Sequence, residues 1–465
     1  MRAVGPPPPV RRSHSTTFGP TARVARPQAR GRWARRWLTL GFWAGLAASV
    51  GIWWLGTPQG TIDGTGPVLI EAARITGMLA GYFLLIQILL MTRVGWLDRR
   101  LSANDLLRLH RDLGAMLTIL VLTHASLFIV GSAKYDGSSL FAETKTIVTG
   151  YPDMISALVA TGFLVGVALL AIRSVRLIMP YELWYYLHMT SYLVLLLGYG
   201  HQFAAGRDLS QPGPSRYVWA ALTLFVVVCL IWGRVIAPIR LNLRHRLRVA
   251  EVTHEGTDMF SVYVRGRDLH GLQARAGQFF RWRFMTGNGW WQAHPFSLSA
   301  APNGQWLRLT IKAVGHHTEQ LKWLRPGVRV LVEGPSGVFT ADRRIRHRAL
   351  LIAGGSGIAP IRALLEELPR GTIVVYRASS PEDIIFTDEL EWLAESRDLE
   401  IFYVVGSRTD PGPREVMTPK GMRRLVPDVS RRDVYLCGPP GLIEASVGIL
   451  RRLRVPKKQI HLDPF

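Results

Sequence analysis

Four histidines interrupt otherwise apolar sequence at two spacings that suit a metal held between helices. His110 and His124 lie in one apolar run of this 465-residue chain, and His188 and His201 lie in another. Fourteen residues separate the first pair. That is nearly four helical turns, about 21 Å of rise, so both imidazoles fall on one face. Thirteen residues separate the second pair, about 20 Å of rise. If the two runs cross a bilayer in the same direction, His110 stands level with His188 and His124 with His201. Each level then offers two imidazoles to one metal plane. Bis-His ligation of haem iron fits that arrangement and leaves no open coordination site. One intramembrane histidine alone is as well explained as a satisfied polar group between helices. Four, paired on two helices, are harder to dismiss, because ionisable groups at membrane depth are costly and usually functional. One point strains the geometry. Thirteen residues leave His201 about 140° from the face of His188 on an ideal helix. Gly198 and Gly200 directly precede it, and a bulge or unwinding there would turn it back.

The elements that must carry these histidines are membrane spans. Six segments approach the ~20 residues a spanning helix needs, at 37–56, 68–91, 106–131, 154–173, 183–203 and 217–237. The connecting charges alternate. The 57–67 loop has no basic residue, and the 92–108 loop has Arg93, Arg99, Arg100 and Arg108. Arg173 and Arg176 follow the fourth span, and Arg234, Arg240, Arg244, Arg246 and Arg248 follow the last. Basic loops mark the cytoplasmic side, so both termini are expected there. Arg74 stands near the outer end of the second span. It either snorkels to the headgroups or partners an anionic group, such as a haem propionate or an anionic acceptor.

Composition agrees with this division. The apolar fraction is 48%, and the long apolar runs all fall in the first half. Net charge is +23, of which nine Arg and no acid lie in residues 1–37. That Pro-rich stretch cannot bury a core, so residues 1–36 are expected to be a disordered basic tail. A nucleic-acid arm is one reading of it. Basic residues flanking a first span are the simpler one, and no clean signal-peptide cleavage pattern follows. The two cysteines, Cys229 and Cys437, sit in unlike surroundings, so neither a disulfide nor a cysteine metal site is expected.

The second half has another texture. Short alternating stretches at 246–252, 259–265, 278–284, 305–313 and 328–333 suggest a small antiparallel barrel. From about 348 strands and helices alternate, which indicates a parallel doubly wound sheet. Its first strand runs into a Gly-Gly-Ser-Gly-Ile-Ala-Pro turn at 354–360. Such a turn lets backbone N–H groups approach a pyrophosphate. It is not the dinucleotide fingerprint, because Pro360 stands where the third glycine would be.

These residues resemble a known family. The run from His294 to Ser299 (His-Pro-Phe-Ser-Leu-Ser), with Gly277 to Phe280 before it and Ile311 to Gly315 and Thr318 after it, resembles the flavin barrel of the ferredoxin–NADP reductase superfamily. The variant is that of NADPH oxidases and ferric reductases, with His294 where most of the superfamily has Arg. The 354–360 turn and the Cys-Gly-Pro-Pro run at 437–440 resemble that superfamily's nicotinamide signatures. The histidine-bearing spans resemble the ferric-reductase transmembrane domain. The resemblance covers residues 40–465.

It implies a multi-domain fold: an all-α six-helix transmembrane haem bundle at 37–240, an antiparallel β-barrel FAD domain at 241–343, and an α/β doubly wound NAD(P) domain at 344–465. It implies that His110 with His188 and His124 with His201 hold two b-type haems. His294, Pro295, Phe296 and Ser297 would hold FAD, with Ser297 near the ring nitrogen that accepts hydride. Ile311, Lys312, Ala313 and Val314 would add backbone contacts, and Gly315 and Thr318 would cap a helix facing the flavin pyrophosphate. Gly354, Gly355, Gly357, Ile358 and Pro360 would cradle the nicotinamide's phosphates, while Cys437, Gly438 and Pro439 line its pocket. Phe465, the last residue, matches an aromatic that stacks on the flavin. Arg377 and Arg408 are each placed to meet a 2′-phosphate or to be simply solvated. The donor would be NADPH or NADH, and flavin must intervene because nicotinamide gives hydride while haem takes single electrons. The acceptor beyond the bilayer is open between ferric chelate and dioxygen. Two rival readings stand beside this: a carrier reducing an extracytoplasmic protein, and a membrane-anchored flavin reductase without haem. No calcium-binding loop is visible.

Overall fold

The computed structural model describes residues 30–57, 63–98, 100–287 and 289–464. Most of the tail expected at 1–36 lies outside them. The chain forms two compact units, one over Ala29–Leu243 and the other from Arg244–Pro335 and Phe339–Phe465.

The first unit is helical. A segment surrounded by lipid must satisfy every backbone N–H and C=O internally, and a helix does so. The principal helices are Arg30–Gly56, Thr65–Leu90, Ala103–Asp136, Leu140–Gly150, Met154–Ala171, Tyr181–Met189, Ser191–Ala204 and Pro214–Ile231. A π turn, Trp232–Ile236, and the helix Ala237–His245 continue the last of these. Among the described residues five helices are long and apolar enough to cross a membrane: Arg36–Gly56, Thr65–Leu90, Asp105–Asp136, Met154–Ala171 and Pro214–His245. The expected sixth, at 183–203, is broken at Thr190 into Tyr181–Met189 and Ser191–Ala204. Neither piece reaches a bilayer's length alone.

That break corrects a local expectation. The irregularity falls at Thr190, while Gly198 and Gly200 lie inside a continuous helix. The Thr190 hydroxyl donates to the Leu187 carbonyl oxygen at 2.7 Å, and the Thr190 N–H donates to the same oxygen at 3.2 Å. A bond closed over three residues tightens the turn and shifts the angular phase of the helix beyond it. The departure from an ideal helix between His188 and His201 therefore falls at Thr190, before the glycines are reached.

The Thr65–Leu90 and Ala103–Asp136 helices pack along much of their length. Small residues allow it. A Cβ on Gly131 would lie 3.0 Å from Ile70, and a Cβ on Gly77 would lie 2.7 Å from His124 Nδ1.

Among the described residues the second unit carries eleven strands in three sheets. β1 (Arg248–His254), β2 (Met259–Arg265) and β5 (Leu307–Lys312) form one antiparallel sheet in the order β1-β2-β5. β4 (His294–Ser297), β3 (Phe279–Phe284) and β6 (Val330–Ser336) form a second in the order β4-β3-β6. Among the described residues, isolated bridges, Arg248 with Arg329 and Leu298 with Leu309, link the two. The region is thus a pair of three-stranded sheets, and the barrel expected from sequence is not closed by continuous ladders. Along β3 the inward positions Phe280, Trp282 and Phe284 alternate with outward ones, the period-2 pattern of a sheet with one packed face.

The third sheet is parallel, in the order β11-β10-β7-β8-β9. Its strands are β7 (Ala349–Gly354), β8 (Ile373–Ala378), β9 (Glu400–Val405), β10 (Asp433–Gly438) and β11 (Ile460–Pro464). β7 and β10 are buried at every position, as central strands covered on both faces must be. Leu351, Val374, Tyr376 and Tyr435 pack there with Ile361, Leu364 and Leu390 from the flanking helices.

Candidate functional site

Within the helical unit, the His110 and His188 rings lie with centroids 5.9 Å apart and planes at 74°. Two imidazoles sharing one metal through bonds of roughly 2 Å have centroids about 6 Å apart, so this pair has the separation that one metal needs. Trp184 stacks on His188 at 5.1 Å, and the Gln87 amide donates to the His110 carbonyl oxygen at 2.8 Å. The Nδ1 atoms of His110, His188 and His201 are buried without a hydrogen-bond partner. Such atoms are rare in a finished structure and ask for an explanation. His124 differs. Its Nδ1 donates to the Ala73 carbonyl oxygen at 2.7 Å. That bond fixes the tautomer with a free Nε2 lone pair, the form that binds metal. His201 interacts electrostatically with His124 and with Asp153.

Arg74 does not snorkel. Its side chain is only 10% exposed and is ion-paired with Glu71 and Asp208. Arg207 adds a bond to Glu71 at 3.2 Å. Two carboxylates thus already meet the guanidinium.

In the second unit the His294–Ser297 segment is the edge strand β4. The Trp282 indole donates to the Phe296 carbonyl oxygen at 3.0 Å. His294 stacks between Phe296, at 6.0 Å, and His317, at 4.4 Å. His317 was not singled out by sequence. Burial, with the neighbouring His316, holds its imidazole below the ordinary histidine range, so it stacks as a neutral ring. Ile311 and Ala313 are buried, whereas Val314 is 78% exposed. Thr318 does act as a cap, but of a single-turn helix, His316–Gln320: its hydroxyl oxygen accepts from the Val314 and Gly315 N–H groups at 3.1 Å each. Lys312 ion-pairs with Asp258 at 3.1 Å.

The turn at 354–360 joins β7 to the helix Ile358–Leu365. Gly355 has φ +55°, a left-handed conformation that glycine adopts without strain. A Cβ on Gly357 would lie 2.8 Å from the Gly438 nitrogen. Glycine is thus what lets the turn touch the Cys437–Pro439 segment. The Cys437 thiol donates to the Asp463 carbonyl oxygen at 3.1 Å, and burial pushes it well above the ordinary thiol range. It is a neutral thiol.

Asp463 is a second residue that sequence reasoning missed. Burial pushes its carboxyl up to about 6, and a hydrogen bond from Ser297 pulls against that shift. The structure thus brings Ser297, Cys437 and Asp463 together. Phe465 lies outside the described residues. The two arginines separate. Arg377 donates to the carbonyl oxygens of Ala378, Val404 and Gly406. It ties strand ends together. Arg408 is exposed and lies beside Gly441 in the first turn of the helix Pro440–Arg452.

Comparison with known proteins gives a consistent account. Three families match consecutive stretches: the ferric reductase like transmembrane component over residues 76–199, an FAD-binding domain over 244–340, and an oxidoreductase NAD-binding domain over 351–447. The chain is 30% identical over 151 residues to the reductase component of propane 2-monooxygenase from Rhodococcus jostii, covering 30% of this chain and 41% of that protein. It is 29% identical over 191 residues to ferredoxin–NADP reductase B from Sorangium cellulosum, covering 37% of this chain and 77% of that one. Among solved structures, the ferredoxin reductase of carbazole 1,9a-dioxygenase matches with a TM-score of 0.40 at 24% identity, over 48% of this chain and 69% of that chain. The chain thus spans about two fifths of the length of the Rhodococcus reductase component, and it carries a ferric-reductase-like transmembrane component beside FAD- and NAD-binding domains of the oxidoreductase kind.

Proposed function

Because this chain joins a ferric-reductase-like transmembrane component to FAD- and NAD-binding domains, the architecture of the ferric reductase and NADPH oxidase type, we propose that it carries electrons from cytoplasmic NADPH or NADH across the membrane to ferric chelate or dioxygen. The observation that carries the proposal is the pair of neighbouring rings, His110 and His188, with centroids 5.9 Å apart and planes at 74°, inside an apolar bundle. FAD, when bound, takes a hydride and releases single electrons, and b-type haems pass single electrons onward.

The chain's residues have these parts. His110 with His188 would hold the inner haem, and His124 with His201 the outer. The Ala73 carbonyl keeps the His124 Nε2 available. His294 to Ser297 would hold the flavin, with Trp282 fixing the Phe296 backbone. Ile311 to Gly315 would line it, and Phe465 would cover it on resemblance alone. The backbone N–H groups of the 354–360 turn would cradle the nicotinamide phosphates, and Arg408 would meet a 2′-phosphate. Cys437, Gly438 and Pro439 would line the nicotinamide pocket. Asp463, with its value near 6, holds or releases a proton beside the Ser297 hydroxyl at near-neutral pH.

The test uses the full chain in sealed liposomes, with iron chelate inside and NADPH or NADH outside. Reduction of the trapped iron is expected. Reduced flavin with untouched trapped iron and no dioxygen consumed inside the liposomes would contradict the proposal and favour a membrane-anchored flavin reductase.

A further inference from the structure

The densest buried charge in the second unit lies away from the flavin and nicotinamide residues, and it joins the elements that carry them. Arg308 stands on β5 with its side chain 2% exposed. One edge of its guanidinium holds the end of the flavin motif: Nε donates to the Ser299 hydroxyl at 3.1 Å and Nη2 to the Ser299 carbonyl oxygen at 2.8 Å. The Arg308 carbonyl accepts the Ser299 N–H at 2.8 Å. Ser299 is two residues beyond Ser297. The other edge reaches Glu389 on the helix Thr387–Arg397, with contacts of 2.6 and 2.9 Å to its two oxygens. Glu389 also accepts from Arg362 Nε at 2.5 Å. Arg362 is 2% exposed and ion-pairs with Glu366. It lies on the helix Ile358–Leu365, which begins at the phosphate turn. Glu366 returns to the flavin sheets by accepting the Ala301 N–H at 2.9 Å. Next to it, Glu367 accepts the Ala276 N–H at 3.1 Å.

The circuit closes on itself. Two guanidiniums meet two carboxylates. Tyr263 and Phe386 cover Arg308, and Glu255, which also faces the cluster, is pushed toward its neutral form by burial. Buried charges of this kind are weak contributors to stability, because desolvation offsets their attraction. Their distinctive property is geometric: bidentate guanidinium–carboxylate pairs fix distance and angle where apolar contacts tolerate sliding. We propose that Arg308, Glu389, Arg362 and Glu366 are positioning residues that hold the Ser297 segment and the 354–360 turn in the register required for hydride transfer. The inference rests on the reading that these two segments bind flavin and nicotinamide.

The test is anaerobic stopped-flow reduction of the flavin by NADPH and NADH in the full-length holoprotein. Glu389→Gln keeps the shape and removes the charge. A misplacement of about 1 Å costs on the order of a hundredfold in a positioned reaction, so the limiting rate of flavin reduction is expected to fall about ten- to a hundredfold. FAD content and the nicotinamide Kd should change little. Arg308→Met combined with Glu389→Leu removes both charges and guards against simple misfolding. It should bind FAD and melt near the wild type while staying slow. Wild-type rates in a folded Glu389→Gln protein, or in the double variant, would overturn the latch. Ser297→Ala run in parallel separates the failures. If it is fast while Glu389→Gln is slow, the assignment of Ser297 fails and the latch stands.

Discussion

The two units treat buried polar atoms in opposite ways. In the helical unit, those without a partner among the described residues gather on His110, His188, His201 and Gln87. In the second unit the partnerless atoms of Arg283, Arg397 and Ser446 are scattered, and the largest buried charges are closed into the Arg308–Glu389–Arg362–Glu366 circuit. An unsatisfied buried donor or acceptor costs roughly 1–3 kcal/mol. Three of those in the helical unit are imidazole Nδ1 atoms of the paired histidines. A closed circuit marks a place where the polypeptide satisfies its own buried charge. The helical unit thus leaves ring nitrogens open at paired spacings, and the second unit closes its buried charges on one another.

The sharpest way to break that comparison is to remove a histidine. His188→Ala should abolish electron flow across the bilayer and remove one of two haem signals from the difference spectrum, while flavin reduction by nicotinamide continues. Survival of both signals would show that His188 holds neither haem. Next in size is Gly357→Ala. Its Cβ would lie 2.8 Å from the Gly438 nitrogen, and overpacking of this kind costs about 1–3 kcal/mol. The second unit should melt lower and the nicotinamide KM should rise. An unchanged KM would place the nicotinamide elsewhere.

A smaller effect is expected at Arg408. Arg408→Gln should raise the KM for NADPH about tenfold, the cost of roughly one charge-assisted contact, and leave NADH unaffected. Arg377→Gln should instead lower stability without separating the two nucleotides. The smallest effect concerns Asp463. Its folded value, about 6, stands above the unfolded carboxylate value, so the folded state binds the proton more tightly. The resulting stability is fully present below the unfolded value and is lost as pH rises through about 6. Thermal melting between about pH 4 and 6 should show that slope, and Asp463→Asn should flatten it.

The sequence carried the chemistry-bearing residues further than the scaffold. The histidine spacings, the 354–360 turn and the 294–299 run could be read because local sequence dictates them. The break at Thr190 could not, since threonine is an ordinary helix residue and only its bond to Leu187 shows the tightened turn. Counting apolar runs therefore reads six spans where, among the described residues, five unbroken helices are long and apolar enough to cross a membrane. Arg377 and Arg408 look alike in sequence and are told apart only by which carbonyls the strand ends present. Arg308 and Glu389 are 81 residues apart, and no local pattern joins them. The two sheets read as a barrel because alternation reports strands and not how ladders close.

The most direct measurement is the reduced-minus-oxidised spectrum of the purified full chain, with NADPH or NADH as reductant and oxygen excluded, together with haem and flavin stoichiometry. One FAD and two six-coordinate b-type haems per chain are expected, all reduced by the nicotinamide. A flavin that is reduced in a protein without haem, or haems that the nicotinamide cannot reduce, would contradict the transmembrane relay.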